Sequence, residues 1–323
     1  MSIQSRHVID DETRIGEARR QAVHLAQVHG LDAAAAGRVG IAATELATNL
    51  RRHGGGGELF VQPIAANGAH VIELIAVDRG RGMENVERCL VDGYSTGGTA
   101  GNGLGAVRRL AQEFDIYSIA GQGAVVMARI GGSVAARFGA ISVPVAGEVE
   151  CGDAWRLAIG ENVSAALLAD GLGHGGAAAE AARAATTAFG ETPFELPRIL
   201  MERLHRASQG TRGCAAACAR IERGGATSYA GVGNIYSALV STETSQGLVS
   251  HDGTLGVRAT KMRQFEYRRG VGALLIMHSD GISARWDLAG RPGLLQRHPA
   301  IVAGVLYRDH ARSRDDATVL VVD

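Results

Sequence analysis

The sequence predicts an α+β protein of two domains in tandem, and three patterns lead to this fold class. Residues 1–131 carry two amphipathic helical patterns followed by mostly antiparallel strand patterns, as expected of one sheet covered by one helical layer. Residues 147–323 carry strand patterns at both ends and two helical patterns between them. The chain has 323 residues, which is long for one core and sufficient for two. Residues 132–146 lie between the two patterns and are predicted to be a linker.

The first domain opens with two predicted helices. Apolar residues recur at helical spacing in residues 12–30 and again in residues 32–53, where Asp32 is a residue type typical of an N-cap. Two strand patterns follow, ELFVQPIA and HVIELIAVD. The dipeptide Asn67-Gly68 between them predicts a hairpin turn.

The remaining elements follow in the same way. A glycine-rich stretch leads into a helix predicted at residues 105–113, and the runs FDIYSIA and AVVMARI predict a last strand pair in the first domain. In the second domain, helices are predicted at residues 176–190 and 195–208. Its strand patterns are WRLAIGEN, SAALLAD, SYAGVGN, IYSALVS, ALLIMHSD and ATVLVVD.

The composition argues against several classes of function. Lys and Arg together number 33, as do Asp and Glu, so no excess positive charge predicts binding to nucleic acid or to an acidic membrane. No apolar run is long enough to span a bilayer. The N-terminal segment MSIQSRHVIDDETR is polar and lacks the apolar core of a signal peptide, so we expect a cytoplasmic protein.

A carboxylate and a carboxamide stand one helical turn apart in the apolar sequence AATELATNL. Glu45 and Asn49 project from the same face of the predicted helix, where burial without partners would be unfavourable. Mg²⁺ with nucleotide phosphates would supply such partners, because Mg²⁺ prefers oxygen ligands and retains several waters. Arg52 lies on the next turn, within reach of a phosphate.

Two glycine-rich segments complete this pattern. In AVDRGRGM, Asp78 ends an apolar strand and can accept a hydrogen bond from an adenine amino group, while Gly80 and Gly82 allow close approach of the backbone. The second segment, GYSTGGTAGNGLGAVRRL, leads into a helix whose N-terminal N–H groups can hold phosphate. Its predicted nucleotide contacts are Gly101, Gly103, Leu104 and Gly105.

In this order the three segments resemble the GHKL (Bergerat) ATPases, whose fold is an α/β sandwich. Over residues 8–131, ATELATN, DRGRGM and DGYSTGG…GNGLGAVRRLAQEFDIYS are most similar to the RsbT-type serine/threonine switch kinases. The resemblance implies that Asn49 holds Mg²⁺, that Glu45 orients or deprotonates the acceptor hydroxyl and that Asp78 reads the adenine of ATP. One position departs from the family, because Ala124 stands where a Thr usually supports the adenine-reading acid.

In the second domain, acidic residues stand at the ends of apolar strand patterns. Any single acid–glycine pair is typical of an ordinary turn, but several acids at one edge of a sheet sandwich would repel one another without cations. Divalent cations with carboxylate and water ligands would neutralise such a cluster and could activate a water against a phosphate ester. The acids are Asp153, Asp170, Asp280, Asp315 and Asp316.

This ordered set resembles the type 2C metal-dependent protein phosphatases, whose fold is an α-β-β-α sandwich. The segment ADGLGHG is most similar to RsbX in the SpoIIE branch, and the resemblance covers about residues 147–323. It implies that Asp170 bridges two metals and that the Gly171 carbonyl binds one of them. It also implies that Asp280 and Asp315 ligate the other metal and that Asp153 contacts the site through water.

Three further positions bear on the predicted metal site. Gly152 stands where animal relatives carry an additional metal-binding acid, so activity is expected to depend on added Mn²⁺ or Mg²⁺. Asp316 stands where relatives often have Asn, so it ranks below Asp315 as a ligand. His174, in a glycine loop, either touches the substrate as a general acid or only shapes the loop.

Together the two resemblances imply a cytoplasmic fusion of a switch kinase with its opposing phosphatase, with ATP, Mg²⁺ and Mn²⁺ as cofactors. Glu45, Asp170 and Asp280 are the expected catalytic residues, and STAS-domain regulatory proteins, modified on Ser or Thr, are the expected substrates. In one alternative, motivated by Ala124, the first domain is a nucleotide-sensing adaptor that docks a partner such as a separate phosphatase. In another, it is an anti-sigma factor that binds a sigma-pathway protein.

Overall fold

The computed structural model of the chain describes residues 4–66, 68–90, 103–134, 136–258, 262–288 and 290–323. The chain forms two compact units. The first unit consists of Ser2–Arg137 together with Ala300–Arg308, and the second of Phe138–Pro299 together with Asp309–Asp323. Within the described ranges, no helix is both long and apolar enough to cross a membrane.

The first unit is built on a five-stranded antiparallel sheet with strand order β1-β2-β3-β5-β4. Helices α1 and α2 pack on one face of this sheet through a core of alanine, valine, leucine and isoleucine side chains. The elements are β1 (Ser5–Ile9), α1 (Glu12–Val28), α2 (Ala33–His53), β2 (Gly57–Ala66), β3 (Ala69–Asp78), α3 (Val86–Cys89), α4 (Gly103–Leu110), β4 (Glu113–Ser118) and β5 (Ala124–Ile130).

The sequence of α2 explains both its start and its buried face. The Asp32 side chain accepts a hydrogen bond from Ala35 N at 2.6 Å, which caps the helix as predicted. Small and branched apolar residues at helical spacing, among them Val39, Leu46 and Leu50, are buried against the sheet. Helix α2 is therefore capped at its start and packed against the sheet along its length. Its other face presents polar side chains to the candidate site of the first unit.

The second unit contains two five-stranded antiparallel sheets, with strand orders β13-β10-β9-β8-β7 and β12-β11-β14-β15-β6. The sheets contact each other where Trp155 packs near Phe138 and where Tyr229 donates a hydrogen bond to Ser237 at 3.1 Å. Helices α5 and α6 pack on the first of these sheets. The elements are β6 (Phe138–Val143), β7 (Asp153–Ile159), β8 (Val163–Gly171), α5 (Gly176–Glu191), α6 (Pro197–Ala207), β9 (Cys214–Glu222), β10 (Ala226–Val232), β11 (Tyr236–Val240), β12 (Ser245–Gly247), β13 (Phe265–Arg268), β14 (Leu274–His278), α7 (Pro299–His310) and β15 (Ala317–Val322).

Helix α7 contributes Ala300–Arg308 to the first unit, where it covers the sheet face opposite α1 and α2. A Cβ on Gly304 would lie 2.6 Å from Val125 Cγ1, so this glycine lets the helix backbone approach β5 closely. The ring of Tyr307 packs edge-on against Phe60, with ring centroids 5.4 Å apart. Helix α7 is apolar almost all round, as expected of a helix that is buried on every side.

The structure differs from the sequence prediction in three elements. Strand β1 was not predicted, because it is a short edge strand identified by its pairing with β2 and not by a long pattern. Strand β6 lies inside residues 132–146, which were predicted to be a linker; five of its six residues are buried, so it shows no alternation. Helix α4 begins at Gly103, and Glu113 begins β4 instead of ending that helix. The predicted turn residue Asn67 and the predicted contact Gly101 lie outside the described residues.

Candidate functional site

A cavity of about 760 Å³ opens in the first unit. Its volume lies within the range of about 300–1,000 Å³ that is usual for small-molecule sites. Residues of α2, the end of β3, the loop after it and the start of α4 line the cavity. The predicted nucleotide-site residues in its lining are Glu45, Asn49, Arg52, Asp78, Gly82, Gly103 and Leu104.

The acid and the amide of α2 meet the start of α4 in this cavity. Asn49 Nδ2 is buried and has no hydrogen-bond partner among the described residues, so it is available to an oxygen of a ligand. A Cβ on Gly103 would lie 2.8 Å from Glu45 Oε2 and 3.6 Å from each amide atom of Asn49. Glycine at position 103 therefore leaves room for the Glu45 carboxylate where it now stands.

Asp78 is held by backbone donors at the end of β3. Gly80 N donates to Asp78 Oδ1 at 2.8 Å, and the N–H of Ala124, which pairs with Asp78 across the sheet, donates to the same carboxylate. Burial raises the pKa of Asp78, while these two hydrogen bonds lower it by a smaller amount. The backbone of Ala124 thus gives the carboxylate a donor although the hydroxyl of the family's Thr is missing.

The predicted glycines have different roles in this site. Gly82 lines the cavity with φ +66°, and a Cβ there would lie 2.1 Å from Ile119 O, so only glycine fits. Gly80 and Gly105 were predicted to contact the nucleotide, but among the described residues they are not part of the lining. A Cβ on Gly80 would lie 2.6 Å from Gly54 Cα, so Gly80 serves close packing of the loop on the end of α2.

Positive charge lines the same cavity. Arg52, His53 and Arg81 are all part of the lining, and Arg81 Nη2 lies 3.2 Å from His53 Nδ1. Burial, followed by the charges of Arg81 and Arg52, lowers the pKa of His53. Sequence analysis identified only Arg52 of these three. Nothing in the sequence distinguishes Arg81 from the other arginines, and its position beside α2 becomes visible only in the fold. The guanidinium groups of Arg52 and Arg81 fit a polyphosphate, whereas the lowered pKa of His53 favours its neutral form.

The second site lies where β7 begins and β8 ends. Asp153 and Asp170 are direct partners in the antiparallel register of these strands. Ser279 donates a hydrogen bond to Asp153 Oδ2 at 2.6 Å and accepts one from Thr318 N at 3.0 Å. Asp153 Oδ1 is buried and has no partner among the described residues. This oxygen is an orphaned acceptor of the kind that a cation or a water would satisfy.

Burial, with smaller contributions from neighbouring negative charges, raises the pKa values of Asp170 and Asp153. Burial is the largest cause at Asp170 and raises its pKa to about 9, with further contributions from the negative charges of the other four acids. Burial likewise raises the pKa of Asp153 to about 7, although the hydrogen bond from Ser279 opposes this change. Without cations the cluster therefore holds protons at pH values at which isolated carboxylates have lost them.

Asp280, Asp315 and Asp316 differ in how their oxygens are used. Asn234 Nδ2 donates to Asp280 Oδ2 at 2.7 Å, and burial followed by the charge of Asp315 raises the pKa of Asp280. Asp315 Oδ1 accepts a hydrogen bond from Asp316 N at 2.9 Å. Both oxygens of Asp316 accept from backbone donors, Val145 N at 2.7 Å and Gly152 N at 2.8 Å. Asp316 therefore has a structural role, and its rank below Asp315 as a metal ligand remains a prediction.

The glycine loop, residues 171–175, adjoins these acids. A Cβ on Gly171 would lie 2.0 Å from Ala178 O, and one on Gly152 would lie 2.6 Å from Asp316 Oδ2, so neither position has space for a side chain. His174 Nδ1 lies 2.7 Å from Glu148 Oε1. The exposed Arg212 places Nη1 3.1 Å from where a Cβ of Gly173 would stand, and it has no ion pair within the described ranges. Sequence analysis missed Arg212, Asn234 and Ser279.

The donor chemistry of the second site fits divalent cations. Its available atoms are carboxylate oxygens, one of them buried and unpaired, and the acids concentrate negative charge that only cations or protons can offset. In the described part of the chain, no three acidic, His or Cys side chains already surround a single ion position. The role predicted for the Gly171 carbonyl remains a prediction.

Two protein families match the chain. Residues 9–130 match the histidine kinase-like ATPase domain, and residues 160–323 match stage II sporulation protein E (SpoIIE). The serine/threonine-protein kinase RsbT of Bacillus subtilis (strain 168) is 34% identical over 128 residues, which are 40% of this chain and 96% of RsbT.

Solved structures that resemble the chain include one from the bacterial stressosome and one of RsbX. A chain from a study of the bacterial stressosome is 28% identical with a TM-score of 0.54, covering 59% of this chain and 100% of its own length. RsbX in complex with magnesium is 21% identical with a TM-score of 0.51, covering 59% of this chain and 97% of RsbX, and this likeness supports the fold alone.

Proposed function

The chain belongs to the SpoIIE family and, through its N-terminal domain, to the RsbT-like kinases, and from this membership we propose that it is a two-way phosphorylation switch. The first unit carries an RsbT-like kinase domain and the second a type 2C phosphatase domain, the pair of activities used in partner switching. In this proposal both domains act on the same Ser or Thr of a STAS-domain regulatory protein in the cytoplasm. Fusion would keep the opposing activities at equal amounts near one substrate.

In the kinase reaction the first unit positions two reactants. Asp78 accepts a hydrogen bond from the adenine amino group, and Arg52 and Arg81 face the phosphates. Asn49 would hold Mg²⁺, which neutralises phosphate charge when bound. Glu45 takes the proton of the acceptor hydroxyl while the hydroxyl oxygen forms a bond to the γ-phosphorus of ATP. The bond between that phosphorus and the oxygen that leaves with ADP breaks. The meeting of Glu45, Asn49 and Asp78 in one cavity is the observation that supports this half of the proposal.

In the phosphatase reaction the second unit presents carboxylates to divalent cations. Asp170, Asp280 and Asp315 would hold Mn²⁺ or Mg²⁺, which when bound lower the pKa of a water and offset the charge of the phosphoryl group. Asp153 Oδ1 is buried and unpaired among the described residues while Ser279 holds the other oxygen, so Oδ1 would accept from a water that contacts the metal site. Arg212 offers a guanidinium to phosphoryl oxygens beside the glycine loop. The pairing of Asp153 with Asp170 in the strand register, beside a buried and unpaired carboxylate oxygen of Asp153, is the observation that supports this half.

A labelling experiment tests both halves. The Asp170→Asn chain is mixed with γ-labelled ATP, Mg²⁺ and purified STAS-domain proteins, and label is expected on a Ser or Thr. The further change Glu45→Ala should reduce labelling to background, because the acceptor hydroxyl loses its base, whereas Glu180→Ala on the exposed face of α5 should leave it intact.

The labelled protein is then given to the wild-type chain with Mn²⁺. Label should disappear, and EDTA or the Asp170→Asn change should prevent this, while Asp252→Asn at an exposed turn should not. Release of phosphate in EDTA would contradict the metal-dependent mechanism. Absence of labelling with ATP binding intact would favour the adaptor function of the first unit, for which Ala124 is the motivating residue.

A further inference from the structure

Asn234 and Asp280 are brought together by the register of two strands. In the antiparallel pair of β11 and β14, Tyr236 stands directly opposite His278. Asn234 lies two residues before Tyr236, and Asp280 lies two residues after His278, so both stand just beyond the same end of this strand pair. The Tyr236 and His278 rings stack with centroids 4.7 Å apart, and beyond them Asn234 Nδ2 reaches Asp280 Oδ2 at 2.7 Å.

The turn that carries Asn234 is fixed on both sides. Gly233 has φ +91°, donates its N–H to His251 O at 2.8 Å, and leaves no space for a Cβ, which would lie 2.5 Å from Ala215 Cβ. Ile235 on the other side is buried. Asn234 itself is exposed. Its backbone is thus placed by its neighbours, and its side chain is left with the single described contact to Asp280.

A carboxylate ligand needs a partner of this kind. Asp280 stands next to Asp315, which repels its ionised form, and Arg312 Nη1 donates to the Asp280 backbone carbonyl at 3.3 Å and not to its carboxylate. The amide of Asn234 is the hydrogen-bond donor that the structure gives to Asp280 Oδ2. A metal-binding carboxylate keeps one orientation when its second oxygen accepts a hydrogen bond from a neighbouring residue. Hydrogen-bond partners of this kind, which do not touch the metal themselves, strengthen metal binding.

We propose that Asn234 is a positioning residue of the phosphatase site, which holds Asp280 Oδ2 so that the other oxygen of Asp280 is presented to a divalent cation. This proposal rests on the proposed metal-dependent function of the second unit. The amide acts through Asp280 and does not itself touch the substrate. Ser279 stands in the same relation to Asp153, but it is fully buried, so its replacement would disturb the core as well. The exposed Asn234 can be changed without that complication.

The test measures Mn²⁺ binding directly, by calorimetry on the full chain. Asn234→Ala should weaken Mn²⁺ binding by about 10–100-fold, the usual effect of losing an outer partner of a metal ligand. Phosphatase activity should need correspondingly more Mn²⁺ for half-maximal rate, and the maximal rate at saturating Mn²⁺ should change less. Asn234→Gln, which retains an amide donor, should recover part of the loss. The unfolding midpoint in EDTA should match the wild type, because the side chain is exposed.

Asn162→Ala is the matched control, since Asn162 is an exposed asparagine in another turn of the same unit, between β7 and β8. Mn²⁺ binding by Asn234→Ala that equals the control would overturn the proposal. Failure of the proposed function itself gives a different result, because Asp170→Asn and Asp280→Asn would then also bind Mn²⁺ normally. If those two variants lose Mn²⁺ binding while Asn234→Ala retains it, only the role of Asn234 is refuted.

Discussion

Asp170 is only partly exposed beside four other carboxylates, and its pKa in the metal-free fold is raised from an ordinary value of about 3.9 to about 9. The folded chain therefore keeps a proton that the unfolded chain releases between these two values. Because the unfolded state binds fewer protons in this window, the free energy of unfolding of the metal-free protein should fall as the pH rises from about 4 to about 9. Divalent cations should reverse this trend, since they pair with the ionised carboxylates.

The test is urea unfolding in EDTA at pH 5, 7 and 9. The midpoint of the wild type should decrease with pH, and that of Asp170→Asn, whose amide cannot ionise, should decrease less and lie above the wild type at pH 9. Equal slopes for the two proteins would show that Asp170 does not carry the shift. Adding Mn²⁺ at pH 8 should raise the wild-type midpoint and leave that of the variant nearly unchanged.

At the scale of a single element, α4 begins against the functional face of α2. A Cβ at position 103 would meet the terminal oxygen of Glu45, which can move, whereas a Cβ at Gly82 would meet backbone, which cannot. Gly103→Ala should therefore fold with nearly unchanged stability, because position 103 opens the helix and so gains less than the roughly 1 kcal/mol by which alanine exceeds glycine in a helix interior. Labelling of the STAS-domain protein should fall, because the Glu45 carboxylate is displaced.

The Gly103→Ala measurement is made in the Asp170→Asn chain, with labelling rate and thermal midpoint as the two readouts. Gly16→Ala within α1 is the control, since a Cβ there meets only Arg20 Nη1 at 3.4 Å, an ordinary contact. A wild-type labelling rate with alanine at position 103 would mean that the present position of Glu45 is not needed for transfer.

The elements also show what a sequence can and cannot predict. The cap of α2 by Asp32 is local, and it is confirmed. Strand β6 was missed because both of its faces are buried and its alternation is lost. Gly80 was assigned to the nucleotide, yet it packs on Gly54, a neighbour 26 positions away that only the folded chain supplies. The fold brings the motif residues Glu45 and Asp78 into one cavity, whereas partners joined by strand register, such as Asp153 and Asp170, could not be paired from the sequence.

At the scale of the whole molecule, Ala300–Arg308 follows residues of the second unit in sequence and is part of the first in structure. Gly304 lies on β5, and Tyr307 donates a hydrogen bond to Glu58 of β2 at 3.0 Å. The charge of Arg308 acts on Asp78, the residue expected to read adenine. This segment should therefore open and close with the sheet of the first unit, and with the cavity at its edge.

Hydrogen exchange on the intact chain tests this membership. A ligand at about 100 times its Kd stabilises the state that binds it by about 2.7 kcal/mol, so amides exposed only when the whole unit opens should exchange about a hundredfold more slowly. A non-hydrolysable ATP analogue should thus slow exchange in residues 300–308 together with α2 and β3, and leave β9 unchanged. Mn²⁺ should slow exchange in β9 and residues 309–316 instead. If residues 300–308 respond to Mn²⁺ and not to the nucleotide, the segment is energetically part of the second unit, whatever it touches in the first.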